Sequence, residues 1–186
     1  MKAQDANRTA VLVIDMQQGL CVGPDAAHDC AGTIARINAV TRQARDAREP
    51  VIFVQHEDEH ALVHESAAWQ LAAGLEAASF DFRLRKQTPD AFLRTGLERL
   101  LKSKGVTQLV VCGMHTEFCI DTTCRRALAL DYAVTLVGDA HTSAGNAVLR
   151  PEQVIAHHNL TLSNIKSFGP RVTVVNAADV RWSAGI

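Results

Sequence analysis

Short, unbroken apolar runs set the strongest limit on what this chain can become. Val11-Leu12-Val13-Ile14, Val51-Ile52-Phe53-Val54 and Leu109-Val110-Val111-Cys112 contain no polar residue. A strand with one wet face alternates apolar and polar side chains, whereas a strand covered on both faces reads as a continuous run. Helical spacing separates the runs. Ile34, Ile37, Thr41 and Ala44 recur on one helical face, which Arg48-Glu49-Pro50 ends.

The pattern continues along the chain. Phe82 and Leu84 alternate with Arg83 and Arg85, as in a short strand. Thr88-Pro89-Asp90 has the form of a helix start, with Thr88 as N-cap and Pro89 in the first turn. Leu93, Leu97, Leu100 and Leu101 then share a helical face, and Gly105 suits its C-terminal stop. A strand over 107–112, a helix over 117–130, a strand over 132–137, a helix over 151–163 and a last strand at Val172-Thr173-Val174-Val175 follow. Alternation of this kind predicts a parallel sheet with helices on both faces. The expected fold is α/β: a Rossmann-like three-layer α/β/α sandwich on a six-stranded, mostly parallel sheet of order 3-2-1-4-5-6. Residues 1–186 are expected to form a single domain.

Charge and composition exclude several classes of partner. The formal net charge is -1, which leaves no basic footprint for nucleic acid or an anionic membrane. No apolar run approaches the roughly 20 residues of a membrane-spanning helix. The stretch Met1-Lys2-Ala3-Gln4-Asp5 is polar and lacks the apolar centre of a signal peptide, so a cytoplasmic location is expected. The five cysteines (Cys21, Cys30, Cys112, Cys119 and Cys124) are odd in number and form no CxxC pair. Reduced thiols fit that pattern better than a disulfide framework or a four-thiolate zinc site.

In open parallel sheets, ligands bind beyond the carboxyl ends of the strands, where the strand order reverses. Asp15 ends the first apolar run, and Cys119 follows the run 107–112 after Gly113-Met114-His115-Thr116-Glu117-Phe118. With the order 3-2-1-4-5-6 these two strands are neighbours. Lys86 shares a side with Phe82 and Leu84, so it points inward and needs an anionic partner. The first turn of a helix favours a thiolate, and such cysteines can have pKa values of roughly 3.5–7.5. Cys119 is therefore the nucleophile candidate, with Asp15 placed either to accept its thiol proton or to help hold it already ionised. Taken singly, each residue has a plainer reading: a core thiol, a turn carboxylate, a solvated lysine. Cys112 and Cys124 read as core thiols, and Cys21 and Cys30 receive no role.

Together these residues resemble the isochorismatase-like cysteine hydrolase family, which includes nicotinamidases and N-carbamoylsarcosine amidohydrolases. The matching pieces are Val13-Ile14-Asp15-Met16-Gln17, Arg85-Lys86-Gln87-Thr88-Pro89-Asp90-Ala91-Phe92, Gly113 through Thr123, and Val137-Gly138-Asp139-Ala140-His141-Thr142. The resemblance implies an Asp15–Lys86–Cys119 triad and a cis peptide between Met114 and His115. It also implies an oxyanion hole built from the N–H groups of His115 and Cys119. The implied activity is hydrolysis of C–N bonds other than peptide bonds, in a small amide, carbamoyl or cyclic amide, through a thioester on Cys119. No cofactor is needed. Gln17, Leu20, His56, Trp69 and Phe118 are candidates for the substrate pocket.

Nicotinamidase-type relatives hold a metal after the second strand on an Asp-x-His pattern. Gln55-His56-Glu57-Asp58-Glu59-His60 does not reproduce it, so no metal is expected. Were one held, His56, Asp58, His60 and His64 are the candidates. His158 reads as a hydrogen-bonded structural histidine, and Trp182 as a packing or subunit-contact residue. Two other functions fit the same fold: an isochorismatase-type vinyl-ether hydrolase, and a catalytically silent interaction module. The intact Asp15, Lys86 and Cys119 argue against both. The partner is thus a small-molecule substrate, with no nucleic acid or membrane, and the resemblance implies a homo-oligomer (dimer or tetramer).

Overall fold

The computed structural model describes residues 8–182. The polar stretch Met1–Asp5 lies outside the described residues. Six strands form one sheet: β1 (Arg8–Ile14), β2 (Val51–His56), β3 (Phe82–Lys86), β4 (Val106–Met114), β5 (Ala133–Thr142) and β6 (Val172–Val175). Their spatial order is β3-β2-β1-β4-β5-β6, and every neighbouring pair is parallel. The sheet is thus entirely rather than mostly parallel.

Each unbroken apolar run is buried on both faces of this sheet. On one face, Ala10, Leu12 and Ile14 pack with Leu97 and Leu101 of α3 (Leu97–Ser103). Ile120 and, from α4 (Asp121–Ala129), Cys124, Ala127 and Leu128 complete that layer. On the other face, Val11 and Val13 meet Ile34, Ile37, Val40 and Ala44 of α2 (Cys30–Asp46). Burying one such aliphatic side chain stabilises the fold by roughly 1.5–3 kcal/mol. Two further helices are α1 (Gln18–Cys21) and α5 (Pro151–Ser163). Among the described residues, no helix is long and apolar enough to cross a membrane.

Several boundaries differ from those read in the sequence. The helix expected from Thr88 begins only at Leu97. Side chains intercept the backbone over 88–96: Asp90 Oδ1 accepts the Phe92 N–H (2.8 Å) and Thr95 Oγ1 donates to the Ala91 carbonyl (2.7 Å). Such local bonds compete with helical ones. Arg94 has φ +57°, and Leu93 is exposed instead of sharing the buried face of Leu97 and Leu101. The helix expected over 117–130 is split, with a π-helical turn over Thr116–Ile120 preceding α4. Strands β4 and β5 run on past 112 and 137, to Met114 and Thr142.

The register at the centre of the sheet positions the functional end. Val11, Leu12, Val13 and Ile14 lie opposite Val110, Val111, Cys112 and Gly113. Asp15 and Met114 therefore leave the sheet side by side. This closeness needs a glycine at 113, where φ is +119° and a Cβ would overlap the Ile14 carbonyl. Gly113→Ala is expected to destabilise the protein by more than about 2 kcal/mol, because it combines left-handed strain with overlap against backbone. Urea unfolding measures this, and an unchanged midpoint would show that β1 and β4 are not held so close.

Candidate active site

Asp15 stands where β1 turns out of the sheet. Its φ of +52° lies in the left-handed region, which Asp adopts more readily than most residues. Its N–H donates to the Val54 carbonyl (2.8 Å), and its own carbonyl accepts the Gln17 N–H (2.8 Å). These bonds turn the carboxylate across the ends of β1 and β2.

Lys86, the last residue of β3, reaches into the same space with a fully buried side chain. Its Nζ donates to Asp15 Oδ2 at 2.7 Å and to Cys119 Sγ at 3.2 Å, and lies 3.3 Å from His56 Nδ1. An ammonium carries three protons, and three acceptors surround this one. The exposed Arg83 and Arg85 and the half-buried Phe82 and Leu84 follow the alternation of the strand. The other oxygen of the pair, Asp15 Oδ1, is buried with no hydrogen-bond partner among the described residues.

Cys119 enters from β4. After Met114 the Met114–His115 peptide is cis, and the chain winds into the π-helical turn. There the His115 carbonyl accepts the N–H groups of Phe118 (3.2 Å) and Ile120 (3.1 Å). The turn aims the Cys119 sulfur back at the sheet end, and the residue is 9 % exposed. The structure thus brings Asp15, Lys86 and Cys119 into mutual reach, with the N–H groups of His115 and Cys119 in the same turn.

The electrostatics of the sulfur differ from those expected of a helix start. Burial first and the Asp15 charge second push the Cys119 thiol up to about 12, against the opposing pull of Lys86. These surroundings disfavour the thiolate, opposite in direction to the effect of a helix start alone. The dipole of a single turn is a small effect beside desolvation and an adjacent carboxylate. His56 moves the other way: burial, then the Lys86 charge, hold its pKa below the ordinary imidazole value. A neutral ring leaves Nδ1 free to accept from Lys86.

The expected pocket residues have more varied roles. Gln17 is fully buried, and both ends of its amide serve the scaffold. Oε1 accepts the His56 N–H (2.8 Å), while Nε2 donates to the carbonyls of His56 and Trp69 (both 2.9 Å). Gln17 therefore clamps the backbone of His56 and does not offer its amide to a ligand. Phe118, expected in the wall, is 57 % exposed and turned to solvent. Leu20 and Trp69 are half-buried, and the Trp69 ring meets His64 edge-on at 4.7 Å. A cavity of about 640 Å³ runs along the outer side of β3 between Arg83, Arg85, Arg94 and Arg99. Lys86 is among the residues that line it, whereas Asp15 and Cys119 are not.

The four residues named as possible metal ligands do not converge. Asp58 Oδ1 caps its own turn by accepting the N–H groups of His60, Ala61 and Leu62. His64 packs on Trp69, and His56 faces Lys86. Among the described residues, no group of three or more His, Cys, Asp or Glu is arranged to hold a metal ion.

Other sequence readings find their places. Cys112 and Cys124 are fully buried core thiols, and Cys21 and Cys30 are half-buried. His158 Nδ1 bonds to the Val154 carbonyl (2.9 Å) within α5, and Trp182 Nε1 donates to Gln43 Oε1 (3.2 Å). Two residues not singled out from the sequence, Thr116 and His141, lie directly behind the Cys119 turn. Thr116 Oγ1 is 2.8 Å from His141 Nδ1, and both residues are buried.

The chain is thus a parallel α/β sheet with an Asp–Lys–Cys cluster at its carboxyl end. The isochorismatase domain pattern matches residues 9–170, and the chain belongs to that family. It is 34 % identical over 136 residues to streptothricin hydrolase of Streptomyces noursei, covering 72 % of this chain and 49 % of that protein. The chain thus spans about half the length of that relative. It is 27 % identical to a ureidoacrylate amidohydrolase of Caulobacter segnis, over 88 % of this chain and 81 % of the relative. A solved isochorismatase family protein superposes with a TM-score of 0.84 at 31 % identity, over 92 % of this chain and 99 % of that one.

The raised pKa sets the sign of a pH experiment. Because the folded environment disfavours the thiolate, its fraction grows with pH across the whole range below about 12. Alkylation of Cys119 by iodoacetamide, followed on its own peptide by mass spectrometry, should accelerate from about pH 7 to about pH 10 without levelling off. A plateau near neutrality would mean that the sulfur already rests as an anion.

Proposed function

We propose that this chain is a cysteine-dependent amidohydrolase that cleaves a C–N bond in a small amide, carbamoyl or cyclic amide substrate through a thioester. The observation that carries the reading is the buried Lys86 ammonium, 2.7 Å from Asp15 and 3.2 Å from the Cys119 sulfur. A lysine with its side chain fully out of water is costly unless anions form beside it. A structural thiol needs no such partner. The streptothricin hydrolase and ureidoacrylate amidohydrolase relatives, both named for hydrolysis, support the same class of reaction.

The chemistry follows from the charges. As the sulfur attacks the substrate carbonyl, its proton passes to Asp15, whose Oδ1 is otherwise unpaired. The negative charge moves from the carboxylate onto sulfur and then onto the carbonyl oxygen, while Lys86 stays cationic beside the first two. The N–H groups of His115 and Cys119 receive the oxyanion, a role in which losing one donor typically costs about a hundred- to a thousandfold in rate. Collapse of the tetrahedral intermediate breaks the C–N bond. The departing nitrogen takes the proton from Asp15 and leaves as ammonia or an amine. Water then gives a proton to Asp15 and attacks the thioester, releasing the carboxylic acid, and the proton returns to sulfur.

Release of ammonia or amine from a panel of small amides, ureido acids and lactams tests this reading. Cys119→Ala and Asp15→Ala should each lower turnover at least about a thousandfold, as expected of residues acting as a unit; Cys119→Ala should leave the fold near wild type, whereas Asp15→Ala also strips the buried Lys86 of its anion and is assayed where circular dichroism shows it folded. Substantial turnover by Cys119→Ala, freed of any wild-type enzyme, would exclude the covalent route.

A further inference from the structure

We infer that His141 is a positioning residue for the Cys119 turn, acting through a single hydrogen bond that it accepts from Thr116. The inference rests on the hydrolytic reading above for its consequence, and on the hydrogen-bond network and the burial of the ring for its chemistry.

The protonation pattern of that network can be read from one end. Asn159, on α5, donates from Nδ2 to the Gly138 carbonyl at 3.0 Å, which fixes the orientation of its amide. Its Oδ1 then lies 2.8 Å from His141 Nε2. An amide oxygen only accepts, so Nε2 must carry a proton. His141 is 2 % exposed, and burial holds its pKa down to about 4. The ring is therefore neutral and carries no second proton, which leaves Nδ1 as a bare lone pair. Thr116 Oγ1, 2.8 Å away, must point its hydroxyl proton there. The Thr142 carbonyl, 3.0 Å from the same oxygen, is the other acceptor for that proton. Donation to Thr142 would set the Nδ1 lone pair against an oxygen lone pair in a dry site, which is unfavourable.

The position of Thr116 gives this bond its consequence. Thr116 is fully buried, follows the cis peptide at His115 and opens the turn that carries Cys119. The pairing of Gly113 with His141 and of Met114 with Thr142 brings the end of β5 alongside that turn. His141 thus ties the turn to β5 and, through Asn159, to α5. A misplacement of about 1 Å in such a turn can cost a hundredfold in rate. Disturbing the bond should lower kcat, since the affected N–H groups act on the developing oxyanion, while KM changes little.

Two replacements of His141 separate the halves of its role. His141→Asn keeps an acceptor near the place of Nδ1 and loses the contact with Asn159. His141→Gln keeps a donor near the place of Nε2 and loses the acceptor for Thr116. We expect His141→Gln and Thr116→Val each to lower kcat at least about tenfold with KM within about twofold, and their combination to be no worse than either alone. His141→Asn and Thr116→Ser should recover at least about a third of wild-type kcat. Nitrogen-15 spectra of histidine-labelled protein should show His141 protonated at Nε2 and bare at Nδ1. The opposite tautomer overturns the inference, as do equal losses in His141→Asn and His141→Gln that follow their thermal midpoints. Wild-type kcat in His141→Gln and Thr116→Val beside an inactive Cys119→Ala overturns it alone. An active Cys119→Ala overturns the hydrolytic reading and this inference together.

Discussion

One buried cation organises the carboxyl end of this sheet. The Lys86 ammonium lies at the end of an edge strand, fully out of water, and its three protons face Asp15, Cys119 and His56. Those residues come from β4, β1 and β2 or the turns that follow them, so the ion pair joins segments far apart in the chain. The register of β1 on β4 and the left-handed turn at Asp15 bring the carboxylate to the lysine. Gln17 holds His56 in place from behind by grasping both polar groups of its peptide backbone. The buried charge is tolerable because each neighbouring element supplies one acceptor.

The same arrangement disfavours the thiolate at Cys119. Burial and the Asp15 charge oppose ionisation, and Lys86 offsets only part of that. In the proposed hydrolysis the negative charge rests on the carboxylate and moves to sulfur only as the sulfur attacks. The neutral thiol is then part of the proposed mechanism, with Asp15 as the base. Phe118, next to Cys119 in the chain, is exposed, and Trp69 and Leu20 are only half covered. The chemistry is built on strand ends, whereas the surroundings that select a substrate lie on loops.

How much could be read from the sequence depended on the range of the interaction involved. The unbroken runs Val11–Ile14 and Val51–Val54 report burial on two faces, a local property, and they sit where expected in the sheet. The inward turn of Lys86 followed from two-residue alternation along β3. The helix start at Thr88 failed because Asp90 and Thr95 bind nearby backbone groups, a competition that residue type alone does not decide. The direction of the Cys119 shift was not legible, because the dipole of its turn is visible in sequence while its desolvation and its closeness to Asp15 are not. Gln17 and Phe118 could be placed near the site, but not turned toward scaffold or solvent. Thr116 and His141 are twenty-five residues apart, and their pairing arises from the β4–β5 register.

The central claim is that Lys86 and Asp15 are energetically one unit, and a double-mutant cycle on stability tests it most directly. Urea unfolding of wild type, Lys86→Met, Asp15→Asn and the double variant gives the coupling between the two side chains. Breaking a buried pair by removing one partner should cost about 3–5 kcal/mol, and removing the second partner should add little, for a coupling of at least about 2 kcal/mol. Additive losses from the two single substitutions would mean that the charges do not depend on each other, contradicting the account.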